Sequence, residues 1–137
     1  MNLTPELYEE YRELSVRLGF ELNDIAETPY ETAVDQCNGI GPEWFPAVLR
    51  KAIDALHPSL VVVSVNHDLN WSRGDGSASY FLVTNAAFEV NGVKVAKDKY
   101  SWYDPRRWWV IRKARQFRRL LDDFGGVAYR KACPKNV

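Results

Sequence analysis

Two short stretches of the chain carry the residue types from which chemistry is made. In Cys37-Asn38-Gly39-Ile40-Gly41-Pro42, two glycines stand one residue apart. Glycine reaches backbone angles closed to other residues, so successive carbonyls or amides can converge on one ion. Converging carbonyls suit a hard cation such as calcium, whose ligands are oxygens. Converging amides form an anion nest, and a plain structural turn uses the same letters. Further along stand His67 and Asp68. Histidine titrates near neutrality and suits the work of a general base. Neighbours on a helix point about 100° apart, so the two side chains would act side by side, one on a water and one on a metal. A hydrogen-bonded histidine on an amphipathic segment is the plainer reading of that pair taken alone.

The elements that must position these residues read mostly as helices. Thr4-Pro5-Glu6 is an N-cap, a first-turn proline and an acidic first turn, followed by an apolar stripe of Leu7, Tyr11, Leu14 and Leu18 that Gly19 is placed to end. Residues 20–42 show no sustained period and read as irregular structure. Pro46 can open a short helix with Val48, Leu49, Ile53 and Leu56 inward. Leu60 to Val65 is β-branched enough for a strand, yet as a helix residues 59–73 put Leu60, Val63, Ser64, His67 and Trp71 on one face. Residues 77–88 suit a helix with the stripe Ala78, Phe81, Leu82 and Ala86. Asn91-Gly92 then signals either a minor β-hairpin or a helix end. Asp104-Pro105 starts a helix over about 105–124 whose core side is Val110, Ala114, Phe117, Leu121 and Phe124, with Gly125-Gly126 ending it.

The two stretches, taken in order, resemble a known family. A glycine loop Cys37-Asn38-Gly39-Ile40-Gly41 is followed by Pro46, His67-Asp68, Trp71, Gly74 and a helix reading Phe81-Leu82-Val83-Thr84-Asn85. This is similar to the phospholipase A2-like domains of phages and bacteria, whose pattern runs Asn-Gly-x-Gly, His-Asp-x-x-Tyr-x-x-x-Gly and Phe-Leu-x-Asn. The resemblance spans about residues 36–90. It implies a small, mainly α domain with two antiparallel central helices, 59–73 and 77–90. It further implies calcium held by carbonyls near Cys37, Gly39 and Gly41 and by the Asp68 carboxylate. His67 would deprotonate a water that attacks a glycerophospholipid ester, and Trp71 would lie against the substrate or surface. The chain departs from the pattern at three places. Ser64 stands where the family has cysteine, Trp71 where it has tyrosine, and the aspartate that orients the histidine would fall at Ala78, Ser77 or Ser79. Asp75, the nearest carboxylate, belongs to the turn. The resemblance therefore implies either an active hydrolase or a degenerate one.

Composition sets the frame. At 137 residues the chain fits a single domain. No apolar run spans a bilayer, and the N-terminus lacks a secretory leader. The expectation is a soluble, cytoplasmic protein, or one delivered by a virion or secretion apparatus. Cys37 and Cys133 have no metal-ligand spacing and read as reduced thiols, with pairing left open. The zero net charge hides an asymmetry: residues 1–58 hold 11 acids and 4 bases, residues 94–137 hold 13 bases and 4 acids. Either the two ends neutralise one another, or a basic surface faces phosphates. Arg106, Arg107, Arg112, Lys113, Arg115, Arg118 and Arg119 share the 105–124 helix with Trp108 and Trp109. The alternative function is thus a non-catalytic phage or bacterial accessory protein. Its partner, membrane surface or nucleic acid would be met through Arg106, Arg107, Trp108 and Trp109.

Overall fold

The computed structural model describes residues 3–37 and 46–134, and among these every regular element is helical. Helix α1, Pro5–Leu18, is capped by Thr4, whose hydroxyl accepts from the Leu7 amide at 3.1 Å, and stops at Gly19 in the left-handed conformation, φ 65°. The expected stripe is rotated a little: Tyr8 and Ser15 lie deepest, with Leu14 and Leu18 flanking them. The irregular stretch expected after it instead contains two short helices, α2 (Asp24–Glu27) and α3 (Tyr30–Cys37). Each contributes one deeply buried residue, Ile25 and Ala33, so neither is long enough to print a period. Helix α4, Ala47–Asp54, follows Pro46 as expected; it buries Leu49 but leaves Val48 and Ile53 substantially exposed.

A single 3-10 turn, Pro58–Leu60, feeds α5, Val61–Ser72. Its β-branched run is helical because α5 is enclosed on most sides, burying Val62, Val63, Val65 and Leu69. Packing overrides a local preference worth tenths of a kcal/mol per residue. Two buried asparagines on α5 hold the preceding connection. Asn66 accepts from the Ile25 amide at 3.2 Å and donates to the Leu22 carbonyl at 3.1 Å, which also accepts from Asn70 at 2.8 Å. Leu22 has a positive φ of 48°, a conformation these bonds stabilise.

Helix α6, Ala78–Lys99, begins at the Ser77 cap and runs antiparallel to α5. Its buried face is Phe81, Thr84, Asn85, Phe88, Val95 and Ala96, while Leu82, placed inward by the sequence pattern, is exposed. The hairpin or helix end at Asn91-Gly92 is absent, because α6 passes straight through both residues and buries them. Asn91 is a bracket, accepting from the Glu21 amide at 2.7 Å and donating to its carbonyl at 3.1 Å. Gly92 is a point of close approach. A Cβ there would stand 2.7 Å from the Ala114 Cβ and 3.2 Å from a Leu60 methyl.

Helix α7, Pro105–Phe124, opens under the Asp104 cap and packs along α6. Ile111 joins Val110, Ala114, Phe117 and Leu121 in the core; Phe124, expected there, is exposed. Beyond it lies α8, Gly126–Ala132, and Cys133, which follows it, is buried. Cys37 and Cys133 are both free thiols. Among the described residues, the ion pairs of α7 are with Glu89, Asp104 and Asp122, all outside the acidic N-terminal half. Two surface pairs join the halves, Arg17 with Asp98 at 2.7 Å and Lys94 with Glu21 at 3.9 Å. Among the described residues no helix is long and apolar enough to cross a membrane.

Candidate active site around His67

His67 sits where α5, α6 and α7 meet, and it is buried. Its ring packs on Trp71, centroid to centroid 4.5 Å, and edge-on to Phe88 at 5.6 Å. Nε2 lies 2.8 Å from Oδ1 of Asn85, and Nδ2 of Asn85 donates to Oδ1 of Asp122 at 2.9 Å. This chain of contacts fixes a proton. An ionised carboxylate only accepts, so Asp122 draws the amide NH2 of Asn85 toward itself and turns the amide oxygen to His67. Nε2 must then carry the hydrogen, leaving Nδ1 as the unprotonated nitrogen. No hydrogen bond among the described residues engages Nδ1.

The orienting partner thus differs from the expected aspartate in type as well as in place. The sequence pattern pointed to Ala78, Ser77 or Ser79. Ser77 and Ser79 are engaged at the start of α6, with Ser77 capping it, and Ala78 is exposed. Asn85, two helical turns on, reaches the ring instead. Asp122, near the C-terminus of α7, is held by Arg118 at 3.4 Å and anchors Asn85 from behind.

Burial pushes the His67 imidazole from its ordinary 6.5 down to about 4, outweighing the opposing hydrogen bond with Asn85. The ring is therefore neutral at physiological pH. Asp68 behaves in the opposite sense: burial, with no hydrogen bond or countercharge among the described residues to offset it, lifts its carboxyl to about 7. The two residues line one cavity of about 140 Å³ together with Cys37, Ser64, Trp71 and Phe117. That is close to the ~150 Å³ that admits a benzene-sized molecule. The cavity can hold a water and the reacting part of an ester, but not a whole lipid.

The expected calcium ligands are partly in view. Gly39 and Gly41 lie outside the described residues. Cys37 ends α3 and faces the same cavity as Asp68. Burial, aided by the Asp68 charge, pushes its thiol up to about 12. Thiol sulfur is a soft ligand poorly matched to a hard cation, so the carbonyl oxygen is the atom of Cys37 that could serve. Among the described residues no group of three or more His, Cys, Asp or Glu could hold a metal ion. The fit to a cation rests on Asp68, an uncompensated, largely buried carboxylate of the hard-oxygen type calcium prefers.

Trp71 belongs to the cavity wall and not to the outer surface. It is 1% exposed, and its indole NH donates to Thr84 Oγ1 at 3.1 Å. Trp108 and Trp109 are about half exposed, at 53% and 51%. They stand with Arg106 and Arg107 at the opposite end of α7 from Asp122, remote from His67. Ser64, at the family's cysteine position, also lines the cavity. No family model matches the chain, and neither a search of curated proteins nor one of solved structures finds a match.

Proposed function

We propose that the chain is a calcium-dependent hydrolase of glycerophospholipid esters, of the phospholipase A2 type, in which an amide replaces the carboxylate that orients the histidine. One observation carries the reading: the Asp122–Asn85–His67 chain sets the imidazole in a single tautomer beside Asp68 in a shared cavity. An asparagine next to a catalytic histidine is harmful when its NH2 faces the ring and enforces the wrong tautomer. Here Asp122 claims that NH2, so the objection does not apply.

In this reading Nδ1 of His67 takes a proton from a water as the water oxygen bonds to the ester carbonyl carbon. The tetrahedral species collapses by breaking the bond to the glycerol oxygen, which takes the proton back from the imidazolium. Fatty acid and lysophospholipid leave. Asn85 supports the transient imidazolium with a polarised carbonyl oxygen, and the Asp122 charge lies one residue further off. That is weaker support than a direct carboxylate gives. A calcium ion bound by Asp68 and loop carbonyls at Cys37, Gly39 and Gly41 would supply charge stabilisation for the developing oxyanion. A second cavity of about 130 Å³ between α4 and α7, lined by Ala52, Leu56 and Leu120, shares Phe117 with the first. It offers an apolar continuation for an acyl chain.

The test is release of fatty acid from mixed phospholipid vesicles. Gln at position 67 can still donate to Asn85 but is no base. His67→Gln should therefore fold normally and lower calcium-dependent release by ~100-fold or more. Equal release from the folded wild type and the folded variant would refute the hydrolase. The second reading, a non-catalytic accessory protein, would then stand, supported by the half-exposed Trp108 and Trp109 on a basic helix.

A further inference from the structure

The most exposed large hydrophobic side chains among the described residues are Trp102 and Tyr103, each 72% accessible, on the turn that joins α6 to α7. They are not loose. The two rings meet edge to face at 5.7 Å, and the Trp108 indole NH donates to the Trp102 carbonyl at 2.8 Å, bracing the turn against the first turn of α7. Cations stand over the rings behind them: Arg107 lies 5.4 Å from the Trp108 centroid and Lys113 4.5 Å from that of Trp109. Between Lys97 and Lys113 the chain has six cations and two carboxylates. Both carboxylates are already in ion pairs, Asp98 with Arg17 and Asp104 with Arg106.

We infer that this tip is a membrane-docking element that seats Trp102 and Tyr103 in the interface of an anionic phospholipid surface. The argument is one of complementarity. Indole and phenol rings, apolar in body and polar at one edge, favour the headgroup–acyl boundary. The surrounding lysines and arginines meet lipid phosphates at the same depth. A nucleic acid is the poorer match. Base stacking needs open ring faces, whereas Trp108 and Trp109 each have a cation over the ring, and Trp102 and Tyr103 meet at an interplanar angle of 84°. The inference stands without the hydrolase, since docking requires no bond to break.

Co-sedimentation with vesicles of ether-linked phospholipids, which an esterase cannot cleave, separates docking from hydrolysis. The full chain should bind vesicles of phosphatidylcholine containing a minority of phosphatidylglycerol, and bind pure phosphatidylcholine weakly. Trp102→Ser/Tyr103→Ser should lower the affinity for anionic vesicles by ~10-fold or more, because two interfacial anchors are lost. Lys113→Glu should weaken it several-fold and reduce its salt dependence. Trp102→Phe, tested beside them, should keep most of the binding. Failure of the folded wild type to sediment with anionic vesicles would overturn the inference, as would equal binding by the folded double variant. Binding to a single-stranded oligonucleotide, lost in the double variant without any vesicle binding, would overturn it in favour of nucleic acid.

Discussion

The two ends of the antiparallel α6–α7 pair are built on opposite rules. Where Asn85 meets Asp122, polar side chains are turned inward and meet a buried histidine. At the other end, aromatic side chains are turned outward, with Trp102, Tyr103, Trp108 and Trp109 all more than half exposed. Between them the pair follows ordinary practice, with Phe88 stacked on Phe117 at 4.9 Å and Ala114 against Gly92. Burying amides and exposing indoles each runs against what stability alone selects. The polar end offsets part of that cost through the Asp122–Asn85–His67 hydrogen bonds, while Nδ1 of His67 and the Asp68 carboxyl have no such partner among the described residues. The aromatic end incurs no such debt, since its rings leave no polar group buried without a partner. Stability and function should therefore respond differently at the two ends.

The sharpest break in the comparison comes from one substitution at each end. Asn85→Ala removes the acceptor for His67 and the donor for Asp122 together, leaving the buried His67 ring without its partner and the half-buried Asp122 with Arg118 alone. The expected cost is about 2–3 kcal/mol. Trp102→Ser should cost under about 0.5 kcal/mol, because an exposed ring contributes little to folding. Urea unfolding of both variants, with unchanged slope, reads the difference. Similar losses at the two positions would mean that the tip is structural and that the comparison fails.

How much of this was legible in the sequence follows from the range of each signal. Caps and stops depend on a few neighbouring residues, so Thr4, Gly19, Asp104 and Gly125 mark helix ends where the letters suggested. The helix over His67 was reached through the family resemblance, because Val61, Val62, Val63 and Val65 alone argue for a strand. Asn85 as the partner of His67, and Asp122 behind it, could not be read, since each acts on a residue distant in sequence. Asn91-Gly92 misled for a related reason. The pair is a turn signal locally, but Asn91 is spent on the Glu21 backbone and Gly92 on admitting Ala114. Among the calcium candidates, Gly39 and Gly41 remain readings of sequence, while Asp68 has a described environment.

Gly92 turns that lesson into a test of sign. In an uncontacted helix, Gly→Ala stabilises by about 1 kcal/mol. Here the added methyl would meet Ala114 Cβ at 2.7 Å. It would push α6 and α7 apart between their two contrasting ends, and overpacking of this kind costs about 1–3 kcal/mol. Gly92→Ala should therefore lower stability by about 1 kcal/mol net after the propensity gain is subtracted. A rise in melting temperature would show that the helices approach less closely than described, and that Gly92 is there for another reason.

The smallest expected effect is a cancellation within the polar end itself. The unfolded chain protonates His67 near 6.5, whereas the folded chain resists until about 4. Between those values acid favours unfolding, so this residue makes stability rise with pH. Asp68 works the other way. Unfolded, it loses its proton near 3.8; folded, it keeps it until about 7, so its contribution is full below 3.8 and is lost as pH rises through 7. One proton corresponds to about 1.4 kcal/mol per pH unit. Over the shared window the two slopes oppose, and the wild type should show little net dependence from this pair. Single substitutions unmask them. Asp68→Asn should leave a protein that gains stability as pH rises from 4 to 6.5, and His67→Gln one that loses it over the same range. Each slope should fall below the one-proton limit, most of all for Asp68, whose partial exposure admits water that screens its charge. Chemical unfolding at several pH values, in buffer containing a chelator, measures all three proteins. If both variants follow the wild-type profile, then His67 and Asp68 are not both held in their neutral forms by burial, and the polar end of the pair is not the dry site its geometry describes.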